Sequence, residues 1–284
     1  MDASKTSEDP RDWLVDQGFE AYTDTDHETW RTLAHRQHEI LEGRIAEAFL
    51  EGLDALGIDQ TGIPDFRLLN ERLERATGWE VVAVPGLVPD IVFFKLLAGR
   101  RFPAGFWIRK PEQLDYIQEP DIFHDVFGHV PLIMQPVYAD YLEAYGRAGL
   151  AAVGHGALHR LARLYWYTVE FGLAETPRGL RIVGAGIASS PSETVFALES
   201  ASPNRIAFDI ARVIRTRYRI DDFQETYFVL PGVDAWPALD LDRLVPLWRD
   251  LADAPDLEPS DVLPTDRVLA RGDGSYHRGA RTAA

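Results

Sequence analysis

Apolar positions along the chain recur mostly at helical spacing. Trp30, Leu33, Ile40, Leu41, Ile45 and Phe49 fall on one side of a pattern that runs to about Leu56. Thr25-Asp26-His27-Glu28 has capping-box spacing and is expected to open that helix. Pro64 starts a second helix and Gly78 ends it. EVVAVPG (80–86) reads as a strand, DIVFFKLLAG (90–99) as a buried helix and FWIRK (106–110) as a short strand. A helix begins over Asp121–Gly128 after Pro120, and two more cover 137–153 and 156–172. LRIVGAG (180–186) is β-like, NRIAFDIARVIRT (204–216) reads as an amphipathic helix, ETYFVL (225–230) as a strand and 238–252 as a final helix.

The fold class that follows is mainly α: an α+β chain with a few short strands. There is no regular βαβ alternation, so a Rossmann or barrel fold is not expected. Residues 1–24 read as a loosely ordered lead-in, 25–263 as a single catalytic domain, and 264–284 as a loose polar tail, with no separate regulatory domain. No internal repeat, low-complexity block or coiled-coil heptad is visible.

Composition narrows the function. Of 284 residues, 46 % are hydrophobic and 11 % aromatic, enough for a sizeable core. The formal net charge of −16 argues against nucleic acid and anionic membranes as partners. The polar N-terminus is not a signal peptide, and the most apolar window, 81–99, is broken by Pro85, Pro89, Asp90 and Lys95. There is no cysteine, which excludes disulfides, thiolate nucleophiles and iron–sulfur clusters and suits a reducing cytoplasm. Any metal must be held by His, Asp, Glu or other oxygen ligands.

PDIFHDVFGHVPLI (120–133) places His124 and His129 five apart among core-type residues. On an ideal helix such positions point about 140° apart. They converge only if the helix ends or distorts, which Gly128 and Pro131 permit. Glu170, in the nearly apolar LARLYWYTVEFGL, is the candidate third ligand, because a carboxylate facing a core is costly unless paired or bound to metal. The bland alternatives are two satisfied structural histidines and a glutamate that faces water or an arginine. Two imidazoles and one carboxylate suit Fe(II) with open positions, and zinc with a bound water uses the same ligands. The zinc-peptidase motif needs three residues between its histidines and here there are four. His155 and His159 share a helix face, but among small and charged neighbours they read as surface residues, and His35 and His38 as solvated.

EPDIFHDVFGHVPL (119–132), YWYTVEFGL (165–173) and GAGIASSPSE (184–193) occur together in an order and spacing that resembles the pterin-dependent aromatic amino acid hydroxylases. Weaker similarity runs from about residue 64 to 231. The resemblance implies that family's catalytic-domain architecture and iron held by His124, His129 and Glu170. It implies a tetrahydropterin beside Gly86, Leu87 and Val88, stacked on Phe93, with Asp125, Ala162 and Tyr165 around it. It implies that Arg109, oriented by Asp121, grips a substrate carboxylate, a role that suits a planar fork. Trp166, Phe171, Ser189 and Glu193 would surround the amino acid.

As the resemblance implies, the reaction is a monooxygenation: O2 gives one oxygen to an aromatic ring and the other to the pterin, which supplies two electrons. Trp166 and an apolar Ile220 match the phenylalanine enzymes, so L-phenylalanine to L-tyrosine is the expected reaction, with L-tryptophan or L-tyrosine as alternative substrates. A zinc hydrolase and a non-catalytic metal-stabilised protein are the remaining alternatives. Pro191-Ser192 replaces a Phe-Gly common in animal members. Animal members also carry a regulatory domain and a tetramerisation helix, neither of which is visible here, so a monomer is expected.

Overall fold

The computed structural model describes residues 7–58, 61–115, 117 and 119–283. In chain order it comprises α1 (Asp24–Leu41), α2 (Glu47–Leu56), α3 (Phe66–Thr77), β1 (Glu80–Ala83), α4 (Asp90–Ala98) and β2 (Arg101–Ala104). After a loop come a π-helical segment (Phe123–His129), α5 (Val130–Ile133), α6 (Pro136–His155), α7 (Leu158–Tyr165) and a second π-helical segment (Trp166–Glu170). The C-terminal part holds β3 (Leu173–Thr176), β4 (Gly179–Ile182), α8 (Ala185–Ala188), α9 (Pro191–Glu199), β5 (Asn204–Ala207), α10 (Ile210–Val213), β6 (Thr226–Leu230), α11 (Leu241–Asp250), β7 (Val268–Ala270) and α12 (Ser275–Ala283). Helix dominates, as the apolar spacing predicts.

β1 and β2 form a parallel pair. The other strands make a five-stranded mixed sheet in the order β4-β3-β6-β5-β7. β6 lies at its centre, parallel to both neighbours, and all five of its residues are buried, which explains the apolar run from Tyr227 to Leu230. The main core runs from Trp30 and Phe49 through Phe123, Val126 and Phe127 to Tyr167 and Phe228. The residues flanking the two histidines are therefore core residues that fix the local backbone. α4 packs tightly on α6 because α6 carries glycine where the helices cross: a Cβ on Gly149 would sit 2.1 Å from the Phe94 ring. That contact also places Phe93 of α4.

Several expectations are corrected. The first helix is two: Gly43 adopts φ +72°, and Ile45 then makes a β-bridge to Ile182 before α2 starts. Its capping box is Thr23 with Asp26, two residues earlier than expected. FWIRK (106–110) is not a strand. Its backbone partners are the 121–125 segment: Gly105 N donates to Asp125 Oδ2 at 2.7 Å, Arg109 N to Asp121 Oδ2 at 3.0 Å, and Ile122 N to Trp107 O at 2.9 Å. Residues 204–216 are not one helix. Asn204–Ala207 is strand β5, bonded on both sides, and only Ile210–Val213 is helical, with Asp209 as its N-cap. Pairing to distant strands overrides the local helical pattern.

The described parts of the lead-in and the tail are also tied down. Trp13 is buried against Val92 and Leu96, and Val15 N donates to Ala83 O. In the tail, β7 pairs with β5, while α12 brings Tyr276 against Phe196 and Phe223.

Candidate active site

Both π-helical segments carry donors. In a π-turn the backbone bonds from i+5 to i, as Phe171 N does to Trp166 O at 2.8 Å. The first such segment spans both histidines, so the distortion that their spacing demands is distributed along Phe123–His129. His124 Nε2 and His129 Nε2 lie 3.3 Å apart. Glu170 closes the triangle, with Oε1 3.2 Å from His129 Nε2 and Oε2 3.7 Å from His124 Nε2. Among the described residues this is the group of three potential ligands whose donor atoms all fall within 4.8 Å of one another. Donors about 2.1 Å from one metal ion lie roughly 3.0–3.4 Å from each other, so the triangle fits a single cation on one face.

Electrostatics agree with ligation. Burial pushes the His124 imidazole down to about 4, so it is neutral at pH 7 with a lone pair to offer. Burial also works against charge on His129, but the Glu170 carboxylate outweighs it and moves His129 upward. Burial would raise Glu170, yet the two imidazoles hold it below its ordinary value. A carboxylate thus faces the histidines, as a cation site requires.

The tautomer of His124 follows from its neighbour. Ser189 Oγ lies 2.9 Å from His124 Nδ1 and also 2.9 Å from Ala185 O. A carbonyl can only accept, so the single hydroxyl proton goes to Ala185 and Oγ accepts from His124 Nδ1–H. Nε2 is then the unprotonated nitrogen, facing the other donors. Ser189, expected beside the amino acid, thus bonds the ring of a candidate metal ligand. His129 is flanked by the rings of Phe102 and Tyr165, at 5.1 and 6.3 Å.

A cavity of about 280 Å³ opens onto the three donors. Gly86, Leu87, Val88, Phe93, Asp125 and Tyr165 line it, as do Asp90, Trp107, Glu119 and Pro120, which sequence reasoning did not single out. Trp107 was within reach of it: it lies two residues before Arg109. Burial pushes Asp125 up to about 7, with partial relief from the Gly105 N–H. Ala162, expected around the pterin, does not line the cavity. Ile220, expected as an apolar wall, is 78 % exposed, and the residues on either side of it, Arg219 and Asp221, pair with each other.

Arg109 and Asp121 do not line this cavity and are buried together. Asp121 Oδ1 also accepts from His124 N at 3.1 Å, so the arginine is keyed to the start of the segment that carries both histidines. Arg109 Nη1 has a 3.5 Å contact with Leu114 O, which leaves that edge the best placed for a second carboxylate. Trp166 and Phe171 lie with ring centroids 4.7 Å apart at the two ends of the Glu170 segment. Glu193 is held by the Tyr227 hydroxyl and by Gln224 N.

The model of the biopterin-dependent aromatic amino acid hydroxylase family matches residues 19–236. Phenylalanine-4-hydroxylase of Caulobacter vibrioides is 57 % identical over 265 residues, covering 93 % of this chain and 90 % of that protein. Phenylalanine-4-hydroxylase of Chromobacterium violaceum is 55 % identical over 267 residues, 94 % and 90 % of the two chains. The fold superposes on C. violaceum phenylalanine hydroxylase with bound iron(III) and oxidised 7,8-dihydrobiopterin at a TM-score of 0.87, with 56 % identity, covering 93 % of this chain and 95 % of that one. With the iron- and phenylalanine-bound form the TM-score is 0.85 at 53 % identity, covering 93 % and 96 %. The two-histidine, one-glutamate centre, the adjoining cavity and a similarity spanning nearly the whole chain lead to one conclusion: the chain belongs to the biopterin-dependent aromatic amino acid hydroxylase family.

Proposed function

We propose that this protein hydroxylates L-phenylalanine to L-tyrosine with O2, using Fe(II) and a tetrahydropterin. The observation that carries the reading is the convergence of His124, His129 and Glu170 within 4.8 Å beside a cavity lined by Phe93 and Tyr165. Iron and dihydrobiopterin bound to one relative, and iron and phenylalanine bound to the same relative, support it.

In this reading the three side chains hold the iron on one face and leave its other positions open. Bound iron and reduced pterin supply the activation of O2, with one oxygen entering the ring and the other leaving on the pterin. The protein holds both organic molecules beside the metal and limits water. Phe93, with the backbone of Gly86 to Val88, takes the pterin, and Asp125 and Tyr165 close that side. Arg109 takes the substrate carboxylate in a geometry that Asp121 fixes. Trp166 and Phe171 take the aromatic ring, which suits their stacking surfaces.

The reading extends to a cytoplasmic monomer that binds no nucleic acid and no membrane. Its supports are the absence of cysteine and heptads, the net charge of −16, and the lack, among the described residues, of any helix long and apolar enough to cross a membrane. Sedimentation of the purified protein tests the monomer. Metal dependence tests the chemistry: apo-protein given Fe(II), reduced pterin and phenylalanine makes tyrosine, and apo-protein given zinc does not. Activity with zinc and none with iron would favour the hydrolase.

A further inference from the structure

We propose that Gln224 is a positioning residue for the substrate side of the centre and acts through the indole of Trp166. The inference rests on the reading of Trp166 as a wall for the substrate ring. Gln224 is 2 % exposed, so each of its polar atoms needs a partner. Its Nε2 faces two carbonyls, Arg219 O at 3.0 Å and Asp222 O at 3.4 Å, which can only accept. The amide is thereby oriented, and Oε1 faces Trp166 Nε1, which donates to it at 2.9 Å.

A carboxamide offers a donor on its nitrogen and an acceptor on its oxygen, and here the glutamine side chain spans from those carbonyls to the indole. Its backbone is held as well, since Gln224 N donates to Glu193 Oε1 at 3.4 Å. From outside, His277 Nε2 meets Phe223 O at 2.9 Å and the Tyr276 hydroxyl donates to Asp222 Oδ1 at 3.0 Å. α12 thus clasps the residues beside Gln224.

The consequence falls on one ring. The indole has its N–H fixed by Gln224 and the Tyr218 ring stacked on it at 4.4 Å and 16°. Stacking fixes the plane of the indole, and the hydrogen bond fixes where its N–H edge points. Trp166 also opens the π-turn that ends at Glu170, so the ring is registered to the metal centre.

The test is Gln224→Met, which keeps the length and removes both polar ends. KM for phenylalanine, and its Kd by calorimetry, should rise about tenfold, as expected for one lost buried hydrogen bond, while KM for pterin and Fe(II) affinity stay unchanged. In a Trp166→Phe background, which has no indole N–H, the same substitution should add nothing. Gln224→Asn, which keeps the amide but falls one methylene short, should show the same selective rise and covers the case where the Met variant misfolds. The nitrogen-15 resonance of the Trp166 indole N–H, assigned by its loss in Trp166→Phe, should shift in either Gln224 variant. Equal rises in both KM values, or additivity in the double variant, would overturn the inference by showing a general structural role. An unmoved KM and Kd for phenylalanine in an enzyme that still makes tyrosine would overturn it and leave the function standing, whereas a wild type that makes no tyrosine would overturn the function itself.

Discussion

Arg109 engages both oxygens of Asp121, Nε to Oδ2 at 2.8 Å and Nη2 to Oδ1 at 2.9 Å, with Asp121 fully buried. An arginine paired in this two-point fashion has its plane fixed and presents its remaining edge to a ligand. Arg109→Ala should raise KM for phenylalanine about 10- to 100-fold, the effect of losing a charge-assisted hydrogen bond, with little change in KM for pterin. Steady-state kinetics with each substrate varied in turn checks this, and equal effects would contradict the assignment. The same variant strands Asp121 without its cation, so it should also lose about 3–5 kcal/mol of stability in urea unfolding. Arg109→Lys should not restore the KM, because an ammonium cannot hold Asp121 and a substrate carboxylate in one plane.

Ser189 sets which nitrogen of His124 carries the proton. Ser189→Ala should weaken Fe(II) binding about 10- to 100-fold, the usual effect of losing the group behind a ligating imidazole. A metal titration followed by calorimetry reads it directly. Unchanged iron affinity, with a change confined to KM for phenylalanine, would return Ser189 to a substrate role alone.

Glu193 supplies a pH signature. Burial pushes its carboxyl up to about 7 from 4.5, partly offset by the Tyr227 hydroxyl and the Gln224 N–H. The folded state therefore holds this proton more tightly than the unfolded chain does. Its cost to stability is absent below about pH 4.5, grows as pH rises, and levels off above about pH 7 at roughly 3 kcal/mol. Glu193→Gln removes the ionisation, so relative to wild type it should gain stability progressively between pH 4.5 and 7. Denaturant midpoints across that range test this, and a difference independent of pH would contradict it.

The chemistry was more legible in the sequence than the fold that holds it. His124 and His129 could be read because five-residue spacing is incompatible with a regular helix, and Glu170 because a lone carboxylate in an apolar stretch needs a reason to be there. The tail, the 106–110 segment and residues 204–216 were misread because their partners lie far away along the chain. β5 is a strand only because β6 and β7 flank it. The FWIRK segment is held in place because the carboxylates of Asp121 and Asp125 accept from the backbone N–H groups of Arg109 and of neighbouring Gly105. Gln224 gave no local signal at all; its meaning lies in a bond to a residue 58 positions earlier.

The tail provides a further check. Deleting residues 271–284 removes α12, whose Tyr276 and His277 hold Asp222 and Phe223. The truncated protein should unfold at lower temperature and show a raised KM for phenylalanine with an unaltered KM for pterin. A truncation that changes neither would mean that the clasp has no bearing on the site.

Isotope tracing tests the central claim most directly. Protein loaded with Fe(II) and reduced pterin is given phenylalanine under oxygen-18 gas in ordinary water, and the product is weighed by mass spectrometry. The account predicts tyrosine carrying one oxygen-18 atom, and loss of that product in Glu170→Ala together with weakened iron binding. Tyrosine whose new oxygen comes from water, no tyrosine from the iron-loaded protein, or full activity in Glu170→Ala would contradict it.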